Sequence, residues 1–230
     1  MKKALLFLLA LAGLPFAWAC ARALLESLAA GLTGDAFLAP GCVAFFSGAA
    51  AMAALYFWKG RALSVVYVFA HEMTHALVGL CFLARVHRVS VRATGGFVEL
   101  SKSNLAITLA PYCVPFYLLL ALLLRLLVGL LWPHQPLWPW AALFGAAAAF
   151  HLLYTIDALV TVAQPDVRAY GSLFSYWLIL VVNLLFALLA LVAVGHVGPR
   201  AQAHALRAHT VEAYAAVADL ARRALPRDTP

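Results

Sequence analysis

Charge is scarce in this sequence. Charged residues make up 11% of 230 positions, against about a quarter in ordinary soluble domains. That shortage excludes a water-soluble globular domain, because a chain of this size still has a large surface to cover. Acidic residues are the scarcer sign, 9 against 16 lysines and arginines. The resulting formal charge of +7 is not gathered into basic runs interleaved with aromatics. This argues against a nucleic-acid partner and leaves cytoplasmic loops and anionic headgroups as its counterpart. Cysteine is limited to Cys20, Cys42, Cys81 and Cys113, without a CxxC spacing. These read as small apolar side chains, neither a disulfide framework nor a thiolate metal site. The sequence also lacks an internal repeat and a chain of polar residues through its apolar segments, which argues against a transporter.

What it has is apolar length. Hydrophobic residues make up 66% of the chain and mean hydropathy is +0.94, so the excess must face lipid. An all-α integral membrane protein of about six transmembrane helices is expected, since each span needs about 20 apolar residues. Met1-Lys2-Lys3 and the run Ala4 to Trp18 resemble a secretory signal, either removed after Ala19 or retained as a first span towards Leu25. The next spans are predicted over Pro40 to Trp58, Ala62 to Ala84, Ile107 to Trp132, Trp140 to Val162 and Ser172 to Val194. Residues 21–39, with Arg22, Glu26, Gly31, Gly34 and Asp35, read as a mixed linker.

Between the third and fourth spans, Val86 to Leu100 alternates apolar and polar residues around Gly95-Gly96. That predicts a short β-hairpin, which must lie at the interface or be covered by protein. From Pro199 the composition turns polar. Leu206, Thr210, Ala213, Val217, Leu220 and Ala224 recur at helical spacing, predicting an amphipathic helix on the membrane or on a partner. The expected segments are therefore 1–39, a transmembrane core 40–196, and a tail 197–230. Lys2, Lys3, Lys59, Arg61 and the tail arginines place both termini on the cytoplasmic side.

The third span carries His71-Glu72-Met73-Thr74-His75. Residues four apart on a helix lie one turn above each other, so both imidazoles can reach one metal ion. Glu72 beside them is placed to take a proton from a water at that ion. Zinc suits two imidazoles plus a carboxylate with one position left open. The motif sits roughly 12–18 Å into an apolar helix at 1.5 Å per residue, where ionisable groups are costly and mark function. The bland alternative is a polar cluster that only holds helices together. A third ligand is needed. Among the other acidic residues, Asp157 lies inside the fifth span and Asp166 just after it.

An intramembrane HExxH, a Gly-Gly hairpin after it, a further span and a later aspartate resemble the site-2 protease family of intramembrane zinc metalloproteases. The resemblance covers roughly residues 62–190. It implies that His71 and His75 hold Zn2+ with a downstream aspartate, and that Glu72 activates water for peptide-bond hydrolysis within the bilayer. The family's aspartate usually stands in an Asp-Gly pair preceded by Asn and Pro. Here Pro165 precedes Asp166, Val167 stands for the glycine, and no matching Asn is present. Ala110-Pro111-Tyr112-Cys113-Val114-Pro115 loosely resembles a Gly-Pro element of the family. On this basis Asp166 is preferred to Asp157.

The sequence thus predicts a zinc-dependent endopeptidase of a bacterial inner membrane. Its partners are the lipid bilayer and a membrane protein or peptide substrate. The alternatives are a scaffold with a structural metal site and a zinc hydrolase of a non-peptide substrate. His151 is expected either to orient a ligand or to bond between helices. Asn183 is expected either to bind a substrate backbone or to bond between helices. Gly79 and Gly145 are expected at close helix contacts, and the hairpin edge could hold an extended substrate by strand addition.

Overall fold

A computed structural model describes residues 2–32, 38–92, 95–161 and 164–224. Gly34, Asp35, the Ala93–Thr94 step of the hairpin and Asp228 lie outside them. The described residues are 82% helical, with one two-stranded antiparallel sheet. Among the described residues five helices are long and apolar enough to cross a membrane, or six spans form if one sharply bent pair is a single span. This is consistent with an integral membrane protein.

Two compact units form, Pro40–Tyr170 and the combination of Met1–Ala39 with Gly171–Pro230. The division differs from the segments 1–39, 40–196 and 197–230 expected above, because the last predicted span belongs with the N-terminal helix and the tail. In that unit α1 runs Lys2–Leu32, α8 Ser172–Ala193 and α9 Pro199–Ala224. Helix α1 continues through Arg22 and Glu26, residues expected in a linker. Its polar end has partners: Ser27 Oγ donates to Gln202 Oε1 at 2.9 Å, and Glu26 pairs with His209 of α9. Further along, the Tyr214 hydroxyl donates to the Ala12 carbonyl at 2.9 Å. The amphipathic tail therefore lies along α1, with Ala213 of its apolar stripe buried and Val217 and Leu220 exposed.

The Pro40–Tyr170 unit holds α2 (Pro40–Lys59), α3 (Ser64–Cys81), β1 (Val86–Arg92), β2 (Gly95–Leu100), α4 (Leu105–Cys113), α5 (Phe116–Leu131), α6 (Leu137–Thr161) and the short α7 (Pro165–Ala169). Helices α2 and α6 touch backbone to backbone. A Cβ on Gly48 would overlap the Ala142 carbonyl, and one on Gly145 would overlap that of Phe45, so only glycine permits the approach. Beside this contact Met52, Phe150 and Tyr154 form a core against Tyr56, Tyr67 and Tyr117. The Phe150 and Tyr154 rings stack at 4.6 Å.

One expected span is sharply bent. The run Ile107 to Trp132 is two helices, α4 and α5, bent by 77°. Pro115 cannot donate a backbone hydrogen bond and disfavours helical geometry in the residue before it; Val114 is extended (φ −106°, ψ 111°). Helix α4 starts at an Asn104 cap, whose side chain accepts from Ile107 N at 2.9 Å. Strands β1 and β2 pair from Val86↔Leu100 to Arg92↔Gly95. The Gly95-Gly96 pair therefore opens the second strand. Ser101 N donates to Arg85 O at 2.9 Å and closes the base of the ribbon.

Candidate metal centre

Helix α3 delivers three of the candidate residues from one turn. The His71 and His75 rings lie 5.0 Å apart, centroid to centroid, as the i, i+4 spacing requires. Asp166 arrives from α7. Pro165 occupies the first turn of that helix and Asp166 follows it, an order that suits a fixed φ and a carboxylate at a helix N-terminus. Its Oδ2 lies 3.7 Å from His71 Nε2 and 3.4 Å from His75 Nε2. One ligand atom from each of the three falls within 4.8 Å of the others.

These separations test whether a metal fits. Ligand atoms held at 2.0–2.1 Å in a tetrahedral shell stand roughly 3.3 Å apart, close to the two measured N···O distances. Two imidazole nitrogens and one carboxylate oxygen are a donor set that Zn2+ accepts, and that other divalent ions also accept. The residues present fit a divalent cation. Asp157, on α6, is not among the residues gathered there.

Surrounding groups orient the ligands. His75 Nδ1 lies 2.8 Å from the Ile107 carbonyl. A carbonyl only accepts, so Nδ1 carries the proton and Nε2 is left bare for a metal. The Tyr112 hydroxyl, fully buried, lies 3.3 Å from Asp166 Oδ2 and 3.1 Å from Gln164 Oε1. Gln164 is itself fixed by donating to the Ala158 carbonyl at 3.1 Å. With no metal bound, burial pushes the Asp166 carboxyl up, but hydrogen bonds and charge from His71 and His75 protonated at Nε2 outweigh it and hold the group well below the usual carboxylate range.

Glu72 is buried on the same helix and lies against β2. A Cβ on Gly96 would stand 2.7 Å from Glu72 Cγ and 2.9 Å from its Oε1, so glycine lets the strand rest on the carboxylate. Glu72, the three candidate ligands, Phe97 and Gln164 share the wall of a cavity of about 400 Å³. The arrangement combines three residues that could hold a cation, a carboxylate beside them and an open cavity between the helices and the strand.

The remaining sequence candidates fall elsewhere. His151 is buried on α6 and lines a small space next to His71. Asn183 lies in the other compact unit, where its amide donates to Ile179 O one turn back at 2.8 Å. Sequence reasoning missed Tyr112, Gln164 and the Ile107 carbonyl. The only available signals were Tyr112 within the Ala-Pro-Tyr element and Gln164 two residues before the aspartate. No family model, curated protein or solved structure matches the chain.

Proposed function

We propose that this chain is a zinc-dependent intramembrane endopeptidase of the site-2 protease type, in a bacterial inner membrane. The observation that carries the reading is the convergence of His71, His75 and Asp166 to within 4.8 Å, with Glu72 in the same cavity wall, on a helix of membrane-spanning length.

His71, His75 and Asp166 would hold Zn2+, which when bound supplies Lewis acidity to a carbonyl and to a water. The chain's own residues do the rest. Glu72 takes the proton from the attacking water and hands it to the departing amine, as a carboxylate within hydrogen-bond reach can do in turn. The Ile107 carbonyl holds His75 in the ligating tautomer, and Tyr112 holds the Asp166 carboxylate. Among the described residues strand β2 is paired along one edge only, with β1, and Gly96, Phe97 and Val98 border the cavity. Its other edge suits an extended peptide, which a helical substrate would supply by unwinding.

Glu72 also separates this reading from a scaffold with a structural metal, which has no use for a base. The test compares new N-termini in membrane fractions of cells producing wild type or Glu72→Gln. The expected result is metal retained in both, and cleavage inside apolar segments with wild type only. Equal cleavage by the variant would overturn the assigned role. A metal-loaded wild type that generates no new N-termini would favour the scaffold.

A further inference from the structure

Helix α3 is 18 residues long, roughly 27 Å at 1.5 Å per residue and close to the roughly 30 Å of a hydrocarbon core. Read as a span, its Cys81 end reaches the headgroups. The residues just past that end are unusual in two respects. Leu83 has a positive φ of 59° and is 84% exposed. Helices that end in this left-handed position mostly use glycine there, because a Cβ crowds the following carbonyl. Phe82 beside it is exposed as well. Leu83 therefore gives the fold neither an easy turn nor a packed side chain, and its apolar surface is turned outward.

The second respect is charge. Between Phe82 and Lys102 stand Arg85, Arg88, Arg92 and Lys102 against one acidic residue, Glu99. Three of these cations belong to the foot of the ribbon. Ser101 N donates to Arg85 O at 2.9 Å, and Arg85 N donates to Ser101 Oγ at 2.8 Å. Arg85 and Lys102 are thus held on adjoining ends of two bonded backbones. Arg88 follows three residues into the first strand, its guanidinium 5.5 Å from the centre of the Phe97 ring. All three side chains are exposed, and among the described residues none of them is in an ion pair. The foot lies against the end of α3, since a Cβ on Gly79 would stand 3.1 Å from the Leu100 side chain.

We infer that the foot of the hairpin is a docking site for an anionic phospholipid. Arg85, Arg88 and Lys102 take the headgroup, and Phe82 and Leu83 take the start of the acyl chains. The inference rests on α3 as a span and is independent of the metal. Each basic residue near an anionic lipid surface strengthens attachment about fivefold. Arginine at two of the three positions suits a phosphate, because its planar fork can bond two oxygens at once. The exposed apolar pair beside the cations favours a lipid over an acidic peptide, which has no acyl chain to bury.

The test is native mass spectrometry of the full chain in detergent, titrated with phosphatidylglycerol or with phosphatidylcholine of the same acyl chains. Wild type should bind phosphatidylglycerol about tenfold more tightly. Arg85→Gln/Arg88→Gln/Lys102→Gln, which changes exposed side chains only, should bring the two lipids within about twofold of each other. Arg222→Gln/Arg223→Gln, on the tail, should keep the preference. Leu83→Gly eases the turn, so Tm should not fall, yet both lipids should bind about threefold more weakly. Neither inorganic phosphate nor a hexaglutamate peptide should displace the lipid. Equal affinity of wild type for both lipids, an unchanged preference in the triple variant, or displacement by phosphate or peptide would overturn the site. Unchanged lipid affinity in Leu83→Gly would overturn its apolar half. Metal content should be the same in wild type and the triple variant, so failure here leaves the metal reading standing.

Discussion

In the unit built from α1, α8 and α9, polar side chains reach from one helix to the next: Ser27 to Gln202, Glu26 to His209, Tyr214 to a carbonyl of α1. In the Pro40–Tyr170 unit they converge. His71 and His75 from α3 and Tyr112 from α4 meet at the carboxylate of Asp166 from α7, and Glu72 of α3 and Gln164 from the link after α6 line the same cavity. Both units use hydrogen bonds, yet among the described residues only the second brings three possible metal-ligating groups within reach of one ion. Pairs of the first kind tie neighbours together and contribute about 1 kcal/mol each. Under the proposed function, the ion and the substrate are what this convergent set receives.

Substitutions can sharpen that contrast. The largest effect is expected where the convergent unit depends on backbone contact. Gly145→Val drives a side chain into the Phe45 carbonyl and should cost about 3 kcal/mol or more, lowering the apparent Tm in detergent by about 6 °C or more. A thermal scan that leaves Tm unchanged would mean that α2 and α6 do not pack this way. A smaller and more specific effect follows from deleting one hydroxyl in each unit. Tyr112→Phe should weaken divalent-metal affinity about tenfold with little change in Tm. Ser27→Ala, which removes a buried bond of the tethering kind, should lower stability by about 1 kcal/mol and leave metal affinity untouched. Equal metal affinities in these two variants would erase the distinction between the units.

Much of the fold was legible because apolar runs end abruptly. The boundaries of α2 at Pro40 and of α8 at Ser172 coincide with the predicted starts. The strand pair was legible from alternation. The continuation of α1 past Leu25 was not, since Glu26 and Ser27 acquire their partners from residues beyond position 200, and no local pattern announces that. The α4–α5 bend was hidden by an unbroken leucine-rich stretch. Pro115 and the extended residue before it were the local sign of it. At the site, His71, Glu72 and His75 were legible because one helical turn sets their spacing. Asp166 competed with Asp157, because only tertiary folding decides which carboxylate returns to α3. Tyr112 was invisible, since a tyrosine in an apolar run reads as an interface aromatic until its hydroxyl meets a carboxylate.

The most direct test of the central claim is the metal content of the detergent-purified wild type beside Asp166→Ala and Asp157→Ala. About one zinc per chain in wild type and in Asp157→Ala, with loss in Asp166→Ala, is the result expected for a three-ligand site. A folded wild type that binds no zinc after reconstitution, or an Asp166→Ala variant that keeps it, would contradict the account and leave His71, Glu72 and His75 as a packing cluster.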